Sequence, residues 1–199
     1  MARETDRLRK IIGLDTSLQT IQDLDLLLER ILLEARQFTR ADSGTIYLKR
    51  GSELVFAYTQ NDTKQKELPA GHKLPYSFFT LPINRDSISG YVATTKKILS
   101  IPDVYQIAKD APYHFNRDFD RKGNYKTTSM LTIPLSTSSR EVLGVIQVIN
   151  ALDSEGRVVP FDKDDELLVG HFATVASQAL QRAQLTRQIL LRMISMAEL

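Results

Sequence analysis

The 199-residue sequence predicts an α+β domain, a mostly antiparallel sheet with helices from both ends of the chain on one face and a loop-rich middle on the other. Three observations predict it. Apolar residues recur at three- and four-residue spacing near both termini. Five short β-rich runs lie between these stretches. The segments joining the runs are broken by proline, glycine and polar residues.

Taken in order, residues 3–12 are strongly charged, with Leu8, Ile11 and Ile12 as the only large apolar side chains, and residues 1–13 read as an N-terminal helical linker. Leu18, Ile21, Leu24, Leu27, Leu28, Ile31, Leu32, Ala35 and Phe38 then form one apolar helix face over about residues 16–39. Asp15 or Thr16 is placed to cap its first turn. Residues 43–48 and 54–59 read as strands joined through Gly51, a hairpin signal. Residues 68–82 contain three prolines and one glycine and read as loop. Residues 87–95 suit a short helix, and residues 98–101 a strand ended by Pro102. Residues 103–125 mix polar and aromatic side chains in a connection long enough to be a functional lid. The strongest strands are 129–135 and 143–150, separated by a polar turn at 136–141.

From residue 162 to 199 there is no proline, and Gly170 is the only glycine. Leu168, Phe172, Val175, Ala179 and Arg182 follow a near-heptad spacing, as do Ala176, Ala183, Leu190 and Ala197. One helix of that length extends about 55 Å, further than such a domain is wide. Its far end is therefore expected to meet the same helix of a second subunit. Two helices with a break near residues 184–187 are the alternative.

Composition narrows the function. The 26 basic and 24 acidic residues leave a net charge of +2, with no basic stripe arguing for nucleic acid. The absence of cysteine excludes disulfides, thiolate metal sites and cysteine nucleophiles, and fits a reducing cytoplasm. No apolar run approaches the length of a membrane span, and the charged N-terminus lacks a signal-peptide core. His72, His114 and His171 have no partner at metal-ligand spacing. No phosphate loop or nucleophile elbow is present. The acids Asp162, Asp164, Asp165 and Glu166 crowd at a helix start, where carboxylates cap free N–H groups, rather than alternating as calcium ligands do.

Ser89-Gly90-Tyr91-Val92-Ala93, followed by Ile98-Leu99-Ser100-Ile101-Pro102-Asp103-Val104-Tyr105, resembles the central block of GAF domains. Residues 125–135 (YKTTSMLTIPL) resemble that family's next strand, residues 143–150 (LGVIQVIN) the one after, and Phe161 with Asp165-Glu166 the opening of its last helix. The four blocks occur in family order, and the resemblance spans roughly residues 14–183, leaving 184–199 as a C-terminal helical signalling linker. It implies a GAF-like (profilin-like) fold with a small-molecule pocket between sheet and loops. In the phosphodiesterase branch a pattern runs Asn-Lys, spacer, Phe, three residues, Asp-Glu. Asn150, Phe161, Asp165 and Glu166 match it as structural-motif residues. The lysine is replaced by Ala151, so Asp165 must find another partner or remain solvated. Family members that reduce methionine sulfoxide or attach a bilin use thiols absent here, so no catalytic residue is assigned.

Strand alternation places Thr45 and Tyr47 on one face, with Gly44, Ile46 and Leu48 on the other. Hydroxyls on a buried face need partners, and a polar ligand supplies them. Gln147 is the polar member of the row Val145–Gln147–Ile149. Its amide either offers donor and acceptor to a purine-like edge or satisfies a loop backbone group. Residues 87–90, with Ile88 and Ser89, open the short helix, whose free N–H groups suit an anion. Asp103, Thr127, Thr128 and Ser129 match pocket-rim positions of the family. Strand-edge polarity is the plainer reading of the last three, and helix capping that of Asp103. Arg121, Lys122 and Lys126 are placed to screen an anionic ligand, although solvated surface charge is the plainer reading of exposed basic residues.

The expected function is a regulatory small-molecule sensor in signal transduction. Its ligand class includes cyclic nucleotides, and terminal helices relay the signal to an output domain, with no metal or other cofactor assigned. A dimerisation scaffold with a vestigial pocket is the alternative. A third reading is the regulatory fragment of a larger enzyme, since residues 192–199 (RMISMAEL) resemble the lead-in to HD-GYP phosphodiesterase domains.

Overall fold

The computed structural model describes residues 18, 20–69, 71–72 and 79–197. The expected N-terminal linker and the caps Asp15 and Thr16 lie outside the described residues. Seven strands form one sheet, all paired antiparallel, in the order β3-β2-β1-β6-β5-β4 with β7 added to β6. β1 (Ala41–Arg50) and β2 (Glu53–Asn61) are joined by a tight turn in which Gly51 takes φ +61°, a left-handed conformation that glycine adopts without Cβ strain. A short helix, α2 (Asp62–Lys66), follows β2, and β3 (Thr80–Pro82) is a short edge strand on β2. β4 (Leu99–Ile101), β5 (Met130–Ser136), β6 (Val142–Leu152) and β7 (Val158–Val159) complete the sheet.

One expected helix needs correction. The apolar spacing predicts a single helix over 16–39, but the chain breaks at residues 20–23 and α1 runs Leu24–Thr39. Leu18 is helical and buried; the Ile21 N–H then closes a turn on the Leu18 carbonyl at 3.2 Å. Asp23 adopts an extended backbone, and its carboxylate accepts the Leu26 N–H at 2.9 Å, the geometry of an N-cap. The periodicity persists across the break because Leu18, Ile21 and Leu24 all reach the same core.

At the other end, α5 (Lys163–Ala197) is one helix of 35 residues without a break at 184–187, about 52 Å long at the standard rise. Its start is a reciprocal capping box: the Asp165 N–H donates to Asp162 Oδ1 at 2.8 Å, and the Asp162 N–H to Asp165 Oδ2 at 3.0 Å. This is the partner Asp165 finds where the family pattern has lysine. Glu166 pairs with Lys163, Phe161 is buried, and Ala151 is buried between Ala41 and Val159.

α1 and α5 cover one face of the sheet. Leu28, Ile31 and Leu32 of α1 meet Ile46, Ile133 and Ile146 of the central strands and Val169, Phe172 and Ala176 of α5. Phe38 and Phe172 stack with centroids 6.0 Å apart. After Leu180 the core ends, while α5 continues with Leu185, Ile189, Leu190, Leu191, Met193, Ile194 and Met196 exposed. No helix among the described residues is long and apolar enough to cross a membrane.

Candidate functional site

The opposite face of the sheet carries a polar row. The registers Thr45↔Gln147 and Thr132↔Gln147 set three polar side chains side by side across β1, β6 and β5. The row one step along, Tyr47↔Val145↔Pro134, faces the same way, whereas Ile46, Ile146 and Ile133 point to the helices. Gln147 is 5% exposed, and its Nε2 lies 3.0 Å from Thr132 Oγ1, 3.2 Å from Ser89 Oγ and 3.1 Å from Met130 Sδ. A thioether accepts but never donates, so Met130 fixes the nitrogen on that side of the amide. The carbonyl oxygen, Oε1, receives no hydrogen bond from the described residues and is not occluded.

Above this floor sits α3 (Ile88–Thr95), capped by Ser87, whose Oγ accepts the Gly90 N–H at 3.0 Å. A Cβ on Gly90 would lie 2.7 Å from the Asn84 carbonyl oxygen and 2.8 Å from that of Pro82. Glycine thus lets the helix press onto the preceding loop. Ser89 hydrogen-bonds both Gln147 and Tyr47. Burial pushes the Tyr47 hydroxyl up to about 12, a shift the Ser89 hydrogen bond only partly opposes. Between floor, α3 and the β4–β5 connection lies a cavity of about 300 Å³, the lower end of ordinary ligand sites. Tyr47, Ile88, Ser89 and Gln147 of the sequence-derived set line it.

The connection that closes the cavity is ordered by polar clamps. It contains a 3₁₀ turn (Val104–Gln106) and a short helix, α4 (Asp118–Gly123). His114 forms a parallel bridge with Ser87, seating the middle of this lid beside the start of α3. The buried Asp120 carboxylate accepts the Thr127 N–H at 2.7 Å, the Thr127 hydroxyl at 2.7 Å and the Tyr105 hydroxyl at 2.8 Å. That hydrogen bond raises the Tyr105 pKa. Asn150, at φ +57°, accepts the Thr128 N–H at 2.7 Å and donates to the Lys126 carbonyl at 2.8 Å and the Tyr125 hydroxyl at 3.0 Å. Tyr125 in turn donates to Asp42 Oδ2 at 2.8 Å. Burial first, and then the Asp42 carboxylate, push its pKa well up.

The remaining expected residues are placed elsewhere. Thr45 is buried in the polar row next to Gln147 but is not in the cavity lining. Asp103 caps the 3₁₀ turn, accepting the Tyr105 N–H at 2.9 Å. Thr127 is held by Asp120 and the Thr128 backbone by Asn150, while the Ser129 hydroxyl accepts the Ala151 N–H at 3.1 Å. None of these four lines the cavity. Sequence reading missed Asn84, Asp86, His114 and Asn116 at the mouth and the rings of Phe115 and Phe119. The aromatic content of residues 103–125 was the available signal. No cluster of three or more potential metal ligands occurs among the described residues.

Comparison with known proteins gives one consistent result. A family model described as GAF domain matches residues 23–180. The cGMP-specific 3',5'-cyclic phosphodiesterase of Drosophila sechellia is 29% identical over 170 residues, a match covering 82% of this chain but 13% of that protein. The chain therefore spans only a small part of this curated relative. The GAF domain of a phosphoenolpyruvate-protein phosphotransferase from Coxiella burnetii has a TM-score of 0.68 at 15% identity, covering 92% of this chain and 98% of that one. Its counterpart from Acinetobacter has a TM-score of 0.65 at 17% identity, covering 94% and 98%. At these identities the solved structures speak for the fold.

Proposed function

Because this chain belongs to the GAF domain family, we propose that it binds a cyclic nucleotide in the cavity between sheet and lid and transmits occupancy through α1 and α5. The observation that carries this reading is Gln147: a buried side chain whose carbonyl oxygen receives no donor from the described residues, on the floor of a cavity lined by apolar rings and hydroxyls. A purine ring presents the missing N–H donor and stacks on apolar walls. The likeness to a cGMP-specific phosphodiesterase supports the nucleotide class.

Transmission requires that the ligand bind two arrangements of the helices with different affinity. The sheet supplies the connection, since β6 carries Gln147 toward the cavity and Ile146 and Val148 toward the α1–α5 layer. The exposed apolar end of α5 is the contact for a second copy of the chain, giving a homodimer. In the parent protein the helix leads to an output domain, and we assign that domain to the HD-GYP phosphodiesterase class on residues 192–199.

Calorimetry with cAMP and cGMP tests the ligand reading: saturable heat for at least one is expected, and no heat for either at millimolar concentration rejects it. Light scattering of the chain and of a version ending at Arg182 tests the dimer, which should be lost with the tail. A scaffold whose dimer is independent of α5 would instead survive the truncation. Paired His-Asp metal ligands following Leu199 in the full-length protein are the expected mark of the output domain, and their absence would remove that assignment.

A further inference from the structure

We propose that the hydrogen bond between Tyr125 and Asp42 is the joint through which α1 senses the position of the lid, a route around the end of the sheet rather than through it; as regulation of the candidate site, this rests on reading the cavity as a ligand site. α1 and the lid lie on opposite faces of the sheet. A ligand in the cavity touches the lid at Phe115 and Phe119, and Phe119 adjoins the buried Asp120 in α4. The Asp120 backbone carbonyl accepts the Tyr125 N–H at 3.1 Å, while its carboxylate holds Thr127 and Tyr105. Tyr125 therefore moves with α4. Its hydroxyl reaches out of the lid to Asp42 Oδ2 at 2.8 Å. Asp42 lies at the start of β1, between the paired positions Ala41↔Ala151 and Ser43↔Ile149.

On its other side Asp42 is bound to α1. Its backbone carbonyl accepts Arg36 Nη2 at 2.8 Å, and the Ala41 carbonyl accepts Arg36 Nε at 3.3 Å. Arg36, in the last turn of α1, is 3% exposed, and its guanidinium also meets Gln60 Oε1 at 3.1 Å and Asp62 Oδ1 at 2.6 Å. A Cβ on Gly44 would lie 2.9 Å from Leu32 Cδ1 and 3.0 Å from Arg36 Cδ, so glycine lets the arginine stem lie against β1. The joint has no slack. Tyr125 gives its one hydroxyl proton to Asp42 and takes an Asn150 N–H at 3.0 Å, while Asp42 Oδ1 takes the Thr63 hydroxyl at 3.0 Å. A displacement of α4 must carry Asp42 and the Arg36 guanidinium along, or break a hydrogen bond to a carboxylate, one of the stronger kinds in a protein. Occupancy of the cavity reaches α1 by this route when the ligand favours one position of the lid. Tyr105 is the contrast, since its hydroxyl bonds Asp120 inside the lid itself.

The test is hydrogen exchange of the chain with and without cGMP. In the unaltered protein cGMP should slow exchange over residues 103–127 and also over residues 36–42, by at least about threefold, the scale of one net hydrogen bond. In Tyr125→Phe, which keeps the ring and deletes the joint, cGMP should still slow residues 103–127 but leave 36–42 unchanged. Tyr105→Phe, which removes a bond internal to the lid, should retain the response at 36–42. Without ligand, Tyr125→Phe should speed exchange at 36–42, and Tyr105→Phe should not. Thermal melts of both variants confirm that the fold is intact. Protection by cGMP that is confined to the lid in the unaltered protein, or a response at 36–42 that survives Tyr125→Phe, overturns the joint and leaves the cavity as a binding site. Absence of any protection by millimolar cGMP removes the cavity reading, and the ligand-free comparison then decides the joint by itself. Equal exchange at 36–42 in Tyr125→Phe and the unaltered chain overturns it.

Discussion

The two faces of the sheet are built from alternate residues of the same strands, yet they do different work. On the helix face, Ile46, Ile133, Ile146 and Phe172 are buried among apolar neighbours. Burial of this kind is the main source of folding free energy. On the lid face the next residues along, Thr45, Thr132 and Gln147, are just as buried but polar. Thr132 and Ser89 accept hydrogen bonds from the Gln147 amide nitrogen, while the Gln147 carbonyl oxygen has no donor among the described residues. The polar face gives up apolar burial and leaves room for a guest. A strand with period-two alternation can thus serve stability on one side and recognition on the other without compromise.

If this division is right, mutations should separate the two properties. The largest stability effect is expected on the helix face. Phe172→Ala removes a ring that is 1% exposed and stacked on Phe38, and should cost about 3–5 kcal/mol in chemical denaturation. A loss under about 1 kcal/mol would show that this face is not the stabilising one. Next is the lid clamp. Asp120→Ala deletes the acceptor of three hydrogen bonds and should cost about 3 kcal/mol. Its signature is regional: hydrogen exchange should accelerate over residues 103–127 well before α1 or α5. Uniform acceleration would mean that the lid is not an independent layer.

Much of this division is legible in the sequence. The alternation in residues 43–48 places Tyr47 opposite Ile46 as observed, and 143–150 does the same for Gln147. The extent of α5 follows from an uninterrupted apolar repeat without proline. What could not be read lies where short elements depend on distant partners. α4, with the sequence DFDRKG, has no apolar period, and the Asp120 carboxylate ties it to Thr127. β3 includes a proline and exists because the edge of β2 accepts it. The break before α1 is hidden because Asp23 interrupts the backbone without interrupting the apolar face. At the site, the hydroxyls of Thr127 and Ser129 are polar strand-edge groups by sequence. Only the fold shows that Asp120 and the Ala151 amide engage them.

A smaller effect is expected from Tyr47, and it carries a pH signature. Its folded pKa of about 12 lies above the ordinary tyrosine value, because burial disfavours the phenolate. From about pH 10 upward the unfolded chain releases this proton while the folded chain retains it. Stability is therefore full below pH 10 and falls as pH rises toward 12, by on the order of 2 kcal/mol. Tyr125, also shifted upward, contributes in the same direction. Tyr47→Phe should reduce the alkaline slope without abolishing it. A slope identical to that of the unaltered chain would mean that Tyr47 is already accessible to hydroxide.

The smallest stability change and the sharpest functional one should come together in Gln147→Leu. Leucine keeps a similar volume and removes the amide from between Ser89, Thr132 and Met130. Ser89 keeps Tyr47 as a partner, so the net cost of losing these neutral hydrogen bonds should stay within about 1 kcal/mol. For a nucleotide the consequence differs in kind, because its N–H donor would enter the cavity and lose water without gaining the Oε1 acceptor. A tenfold or greater loss of cGMP affinity, with a nearly unchanged denaturation midpoint, would show that the polar row is kept for the guest. Unchanged affinity would mean that the ligand never reaches the floor. A large loss of stability would mean that the row belongs to the frame after all, and that the two faces differ in polarity but not in purpose.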